Sequence, residues 1–186
     1  MTIIGRILHE FYCLTISDAV LLLLACSFAF CWMDERLSVQ RWWRWAIAGL
    51  LMLLITAVIY TTIGNRSQDY SQVANLRPFH SYREVMDGGH PEIYRSNFMN
   101  AALFYPVGLL AACILPKKWR DWCRCLLVMV LIFTISTGIE CLQYRYGLGL
   151  CEIDDVIHNT AGALAGSLAA VQIPRVCQWL REYDLL

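Results

Sequence analysis

A chain of 186 residues in which 58% are hydrophobic and 16% charged carries more apolar surface than one small soluble core can enclose. This balance points to a polytopic membrane protein rather than a soluble globular one. Lys plus Arg and Asp plus Glu number 15 each, and no run of like charge occurs, so nucleic acid is discounted as a partner.

In chain order, Met1 to Thr15 alternates Ile3, Ile4, Ile7, Leu8 and Phe11 with Arg6, His9 and Glu10. That is an amphipathic helical pattern able to lie on a membrane surface; the alternative is that the first span simply begins earlier. Ile16 to Met33 is the first stretch long enough, with its flanks, to cross a bilayer core of about 30 Å. It ends in Phe-Cys-Trp-Met-Asp-Glu rather than small residues and reads as an uncleaved helix. Ala46 to Ile63, Cys125 to Ile139, and Asn159 to Ile173 with flanks are further spans. Phe98 to Leu115 is nearly as apolar but contains Asn100, Pro106 and Gly108, which predicts a kinked span.

The expected fold is therefore an all-α integral membrane helical bundle of about five transmembrane helices with a long extracytoplasmic loop. Residues 1–63 form an amphipathic segment and two spans, 64–96 the loop, 97–174 a three-helix core and 175–186 a cytoplasmic tail. Arg36, Arg41 and Arg44, then Lys117, Lys118, Arg120 and Arg124, then Arg175 and Arg181 mark the turns expected on the cytoplasmic side of a multi-pass cell-membrane protein. Trp32, Trp42, Trp43, Trp45, Trp119, Trp122 and Trp179 lie beside the same turns, as an aromatic belt would. Against this orientation, the 64–96 loop also has Arg66, Arg77, Arg83 and Arg95, balanced by Asp69, Glu84, Asp87 and Glu92.

Under this topology three helix ends meet on the outer side. Asn100 starts span three, Glu140 and Gln143 end span four, and Asp155 and Asn159 start span five. Ser136, Glu140 and Gln143 share one helix face by spacing, as do Asp155, Asn159 and Gly162. Asp154 and Asp155 are equally well explained as first-turn charges on a helix dipole. Glu140 is not, because a helix carboxyl end disfavours an acid, and intramembrane ionisable groups are functional by default. The loop, with Asn75-Leu76-Arg77-Pro78-Phe79 and a Gly88-Gly89-His90-Pro91 turn, is too long for a plain link and reads as a lid or re-entrant segment over the polar site. Gly162, Ala165, Gly166 and Ala169 allow close helix approach, either to close the site or to join two copies as a homo-oligomer through Gly162 and Gly166.

Asn75-Leu76-x-Pro78-Phe79, Asn100-x-x-x-Phe104-x-Pro106-x-Gly108, Glu140-x-x-Gln143 and Gly149-x-x-Glu152-x-x-Asp155-x-x-x-Asn159-Thr160-x-Gly162 resemble the successive motifs of VanZ-like membrane proteins. The resemblance runs from Asn75 to Gly166. It departs at Glu152, where Asp is common, and at His158, where an apolar or small polar residue is frequent. It implies a membrane location and a link to teicoplanin resistance, without a settled biochemical mechanism.

No cofactor motif occurs. Asp154 and His158 have workable metal-ligand spacing, yet a dense zinc signature such as His-Glu-x-x-His is missing and no metal site is assigned. Cys13, Cys26, Cys31, Cys113, Cys123, Cys125, Cys141 and Cys177 fall in apolar spans or at cytoplasmic turns; Cys151 alone lies in an expected external loop, so no disulfide framework is expected outside. Two functions follow. In the first, an outer-face pocket of Asn75, Arg77, Asn100, Glu140, Gln143, Glu152, Asp155, His158 and Asn159 binds a lipid-linked cell-wall intermediate, a membrane lipid or a lipoglycopeptide. Arg77, Arg83 or Arg95 would engage phosphate. In the second, Glu140 and Asp155 are the catalytic carboxylates of an intramembrane enzyme, Glu140 as acid or base and Asp155 ionised. A carrier with Glu140 as proton site is a weaker third, given five short spans without an internal repeat.

Overall fold

A computed structural model describes residues 15–64, 73–88 and 92–183. The amphipathic segment before Thr15 lies outside the described residues, as do Arg66, Asp69 and the Gly89-His90-Pro91 part of the loop turn. The chain is an all-α membrane bundle. Its described elements are α1 (Ile16–Leu37), α2 (Arg41–Ile59) continuing as a π-helical turn (Tyr60–Gly64), β1 (Ala74–Asn75), α3 (His80–Met86), α4 (Glu92–Ile114), α5 (Asp121–Tyr146), β2 (Cys151–Glu152) and α6 (Ile153–Glu182).

Local chemistry sets the helix ends. Thr15 caps α1 in a capping box with Asp18, each side chain bonding the other's backbone N–H. Gly147, in the left-handed region at φ 62°, stops α5 and lets the N–H of Leu148 reach back to the Gln143 carbonyl. At the carboxyl end of α4 the buried Arg124 donates through Nη2 to the Ala112 carbonyl at 2.6 Å, placing a cation where the helix dipole favours one.

Four helices, α1, α2 with its π turn, α4 and α5, are long and apolar enough to cross a membrane. The fifth expected span lies in α6, a helix of 30 residues that runs between the two ends of the bundle yet is less apolar than the other four. The reason is its position. α6 packs most extensively against α4, then α5, then α1, so its buried side presents small and polar residues to protein. The outward faces of α1 and α5 keep large apolar side chains uncovered, among them Leu21, Leu24, Val130 and Phe133, as surfaces turned to lipid do.

The contact between α4 and α6 is a backbone-to-backbone one. A Cβ at Gly108 would land on the carbonyl of Ala163, one at Gly162 on the carbonyl of Ala101, and one at Gly166 on the carbonyl of Tyr105. The small-residue stripe thus closes the bundle within the chain. The Gly162 and Gly166 face that could have met a second copy is occupied by α4, two helices back in the sequence.

The basic end is tied by ion pairs. Asp34 accepts from Lys117 Nζ at 2.8 Å and from Trp43 Nε1 at 2.9 Å, and Arg181 pairs with Glu35. Trp43 therefore departs from the expected aromatic belt: it is buried on Asp34 and stacked beside Phe30, while Trp42, Trp45, Trp122 and Trp179 remain outward.

Candidate functional site

The opposite end of the bundle is built around the start of α6. Parallel pairing of β1 with β2, Ala74 beside Cys151 and Asn75 beside Glu152, brings the long loop across the end of α5. The Asn75 side chain accepts the Arg77 N–H at 3.3 Å, and a turn closed by His80 N–H on the Arg77 carbonyl places Pro78 at its second position. Phe79 follows at φ 59°, a left-handed conformation that costs a residue with a side chain about 1–2 kcal/mol.

What holds Phe79 there is Asp154. One oxygen of this buried carboxylate accepts the Phe79 N–H, and the other accepts the Ser81 N–H at 2.9 Å and the Ser81 hydroxyl at 2.6 Å. Asn97 of α4 donates to Ser81 Oγ at 3.0 Å, which leaves the hydroxyl proton for Asp154. One turn along α6, His158 is buried with Nδ1 2.6 Å from the Asp154 carbonyl and Nε2 2.8 Å from the Tyr82 hydroxyl. A carbonyl can only accept, so Nδ1 donates to it, and in the neutral ring Nε2 accepts the hydrogen bond of the Tyr82 hydroxyl. Tyr82 also packs on Phe79 and Tyr94. The loop is thus clasped over the amino end of α6, the position expected of a lid. Both nitrogens of His158 and both oxygens of Asp154 are engaged in that clasp. Among the described residues no group of three His, Cys, Asp or Glu is placed to hold a metal.

The residues singled out by spacing gather in the same region, though in pairs rather than around one cavity. Asn100 donates to Asp155 Oδ1 at 2.7 Å. Glu140 is buried and accepts the Glu152 N–H at 2.9 Å, fixing β2 to the end of α5. Gln143 donates to the Thr62 carbonyl in the π turn of α2, and Asn159 donates to Ser136 Oγ, both at 2.9 Å. Gln143 Oε1, Asn159 Oδ1 and Thr160 Oγ1 are buried without a partner among the described residues, which makes this a polar layer inside the bundle.

The open space lies beside that layer. A polar cleft of about 270 Å³ is lined by Glu84, Glu152 and Asp155, with Ser81, Ser96 and Asn97 among its other walls. On the other side of α3 a second cleft, about 540 Å³, is lined by Arg77, His80, Arg83 and Asp87, with Glu84 shared between the two. Of the residues picked from sequence, Glu152, Asp155, Arg77 and Arg83 reach these clefts, whereas Asn75, Asn100, Glu140, Gln143, His158 and Asn159 stand behind them. Sequence reasoning missed Ser81, Glu84, Ser96 and Asn97. They belong to no motif, and for Glu84 the signal was limited to its place in a polar loop.

Glu152 is half-buried, and burial, followed by repulsion from Asp155 and then Asp154, raises its carboxyl above the ordinary glutamate value. Ionising it therefore works against the fold. A carboxyl raised in this way contributes its full stability below its unfolded-state pKa and loses it as pH rises through the folded value. Glu152→Gln is accordingly expected to melt above the wild type at neutral pH, with the two curves converging as acid protonates Glu152. Thermal melts across pH in one detergent check this; a glutamine variant that melts lower at neutral pH would show the carboxylate to be favourably paired.

A family model described as VanZ/LLP1 matches residues 45–175, from the start of α2 to near the end of α6. Neither the curated proteins nor the solved structures contain a match. The matched region includes both clefts, the clasp and the glycine contacts, and the chain belongs to the VanZ/LLP1 family.

Proposed function

We propose that this chain is a multi-pass cell-membrane protein whose loop-covered end holds a lipid-linked cell-wall intermediate and thereby lowers the access of a lipoglycopeptide such as teicoplanin to its target. The observation that carries the reading is the pair of clefts astride α3, one offering the guanidinium groups of Arg77 and Arg83 alongside Glu84 and Asp87, the other walled by the carboxylates Glu84, Glu152 and Asp155. Arg77 and Arg83 suit the phosphate of a lipid-linked sugar, because guanidinium groups bond phosphate oxygens in charge-assisted pairs. Carboxylates accept hydrogen bonds from sugar hydroxyls, and Asn97 and Ser96 extend the polar lining on that side.

An intramembrane enzyme using Glu140 and Asp155 is supported less. Asp155 lines the acidic cleft, but Glu140 is not among its walls and bonds the backbone of β2.

The test is the inhibitory concentration of teicoplanin and of vancomycin for a sensitive Gram-positive host expressing the wild type, Asp155→Asn, or Arg77→Ala with Arg83→Ala, at matched membrane abundance. The wild type is expected to protect against teicoplanin, and each variant to lose most of that protection, since a charge-assisted bond contributes about 1.5–3 kcal/mol, roughly tenfold or more in affinity. Protection by the wild type that survives in both variants would remove the ligand from these clefts. No protection by the wild type would detach this chain from the resistance role.

A further inference from the structure

At the basic end, far from the clasp, α5 and α6 diverge around a groove of about 870 Å³. Its depth is apolar, with Leu126 and Met129 on α5 facing Leu164 and Leu168 on α6. Its mouth is cationic, with Arg120 and Arg175 around it and Lys117, whose Nζ also bonds Asp34 at 2.8 Å, beside them. The one carboxylate in the lining, Asp121, is engaged by Arg124 at 3.2 Å and by Arg175, and Asp34 behind it by Lys117, so Lys117, Arg120, Arg124 and Arg175 outnumber the two acids and the mouth keeps a net positive charge. Trp119 and Trp122 stand at the same level, both largely exposed, with the Arg120 guanidinium 5.8 Å from the Trp122 ring centre.

We propose that this groove is a binding site for an anionic diacyl phospholipid of the surrounding bilayer. The chains lie along the leucine and methionine walls, and the phosphate sits among Lys117, Arg120 and Arg175. Charge complementarity selects the occupant. A zwitterionic lipid fills the apolar part equally well but brings its own cation to a mouth that is already positive, whereas an anionic headgroup gains attraction from each basic residue near the membrane surface. The tryptophans belong at the headgroup level, where their amphipathic rings are favoured. Arg175 also gains a second purpose. Its bond to Asp121 holds the carboxylate away from the phosphate and fixes α6 to the first turn of α5, so the groove width is set by the same pair that sets its charge.

The full-length protein, purified in a lipid-free neutral detergent, is titrated with phosphatidylglycerol and with phosphatidylcholine of the same chains, and bound lipid is counted by native mass spectrometry. The wild type is expected to retain phosphatidylglycerol in preference. Arg120→Gln, which alters a side chain at the rim, is expected to weaken phosphatidylglycerol about fivefold and leave phosphatidylcholine unchanged. Leu168→Trp, which fills the apolar wall without touching a charge, is expected to weaken both lipids together. Equal retention of the two lipids by the wild type would overturn the proposal, and so would an unchanged preference in Arg120→Gln. Weakening of phosphatidylglycerol with full retention of phosphatidylcholine in Leu168→Trp would likewise overturn it, by placing the chains elsewhere.

Discussion

Gly162→Leu is expected to leave essentially no folded protein in the membrane. The added side chain would meet the backbone of α4 at Ala101, and backbone cannot rotate aside as a side chain would. Ordinary overpacking costs about 1–3 kcal/mol because neighbours yield; here two helices must separate along their length, and the expected cost is at or above the top of that range. Gly108 and Gly166 interlock with the same pair of helices, so separation at one contact loosens all three. Gly138 on α5 provides the control, since its Cβ position meets nothing within 4 Å and Gly138→Leu should accumulate as the wild type does. Membrane abundance by immunoblot, followed by size-exclusion of the solubilised protein, compares the two. Wild-type abundance and a monodisperse peak for Gly162→Leu would disprove the interlock.

Asp154→Asn is expected to release the lid while the bundle persists. The substitution keeps shape and volume but replaces one acceptor oxygen with an NH₂ group. All three groups that the carboxylate receives are donors, so whichever way the amide turns, donor faces donor. Losing hydrogen bonds to a charged group costs about 1.5–3 kcal/mol each, and leaving their partners buried and unpaired adds to that. Phe79 would then be free to leave its left-handed conformation. Amide exchange across residues 73–88 is expected to quicken by about a hundredfold, corresponding to about 3 kcal/mol, with α4 and α5 unchanged. Equal protection of the lid in Asp154→Asn and the wild type would transfer the clasp to Tyr82 and His158.

The parts of this architecture that lipid dictates were legible in the sequence. α1, α2, α4 and α5 follow from long apolar runs, since a span must satisfy its own backbone and present hydrocarbon to hydrocarbon. Their ends were less so. The apolar run of α5 covers Cys125 to Ile139, but the helix extends from Asp121 to Tyr146, where the first-turn acid and Gly147 define it. α3 and the two-residue strands carry no hydrophobic period and exist because of what they touch. The same holds at the site. Spacing put Glu140 with Gln143 and Asp155 with Asn159 on shared faces, but the partners of Glu140 and Gln143, the Glu152 N–H and the Thr62 carbonyl, are backbone groups that no side-chain pattern announces. Asp154 shows the difficulty most plainly. First-turn acids are common on helices for electrostatic reasons alone, and nothing in its neighbourhood distinguishes one that also receives a loop from 73 residues earlier.

The reduced apolarity of α6 bears on how the chain enters the bilayer. A helix whose inward face carries Asp154, His158, Asn159, Ser167 and two tightly packed glycines is poorly matched to hydrocarbon while it is alone. The surfaces it needs precede it in the chain, because α4 and α5 carry the polar groups and the backbone on which α6 packs. In that sense α6 is a passenger of its predecessors, and a chain cut before it would leave Asn100 and Ser136 facing an unfilled polar trough.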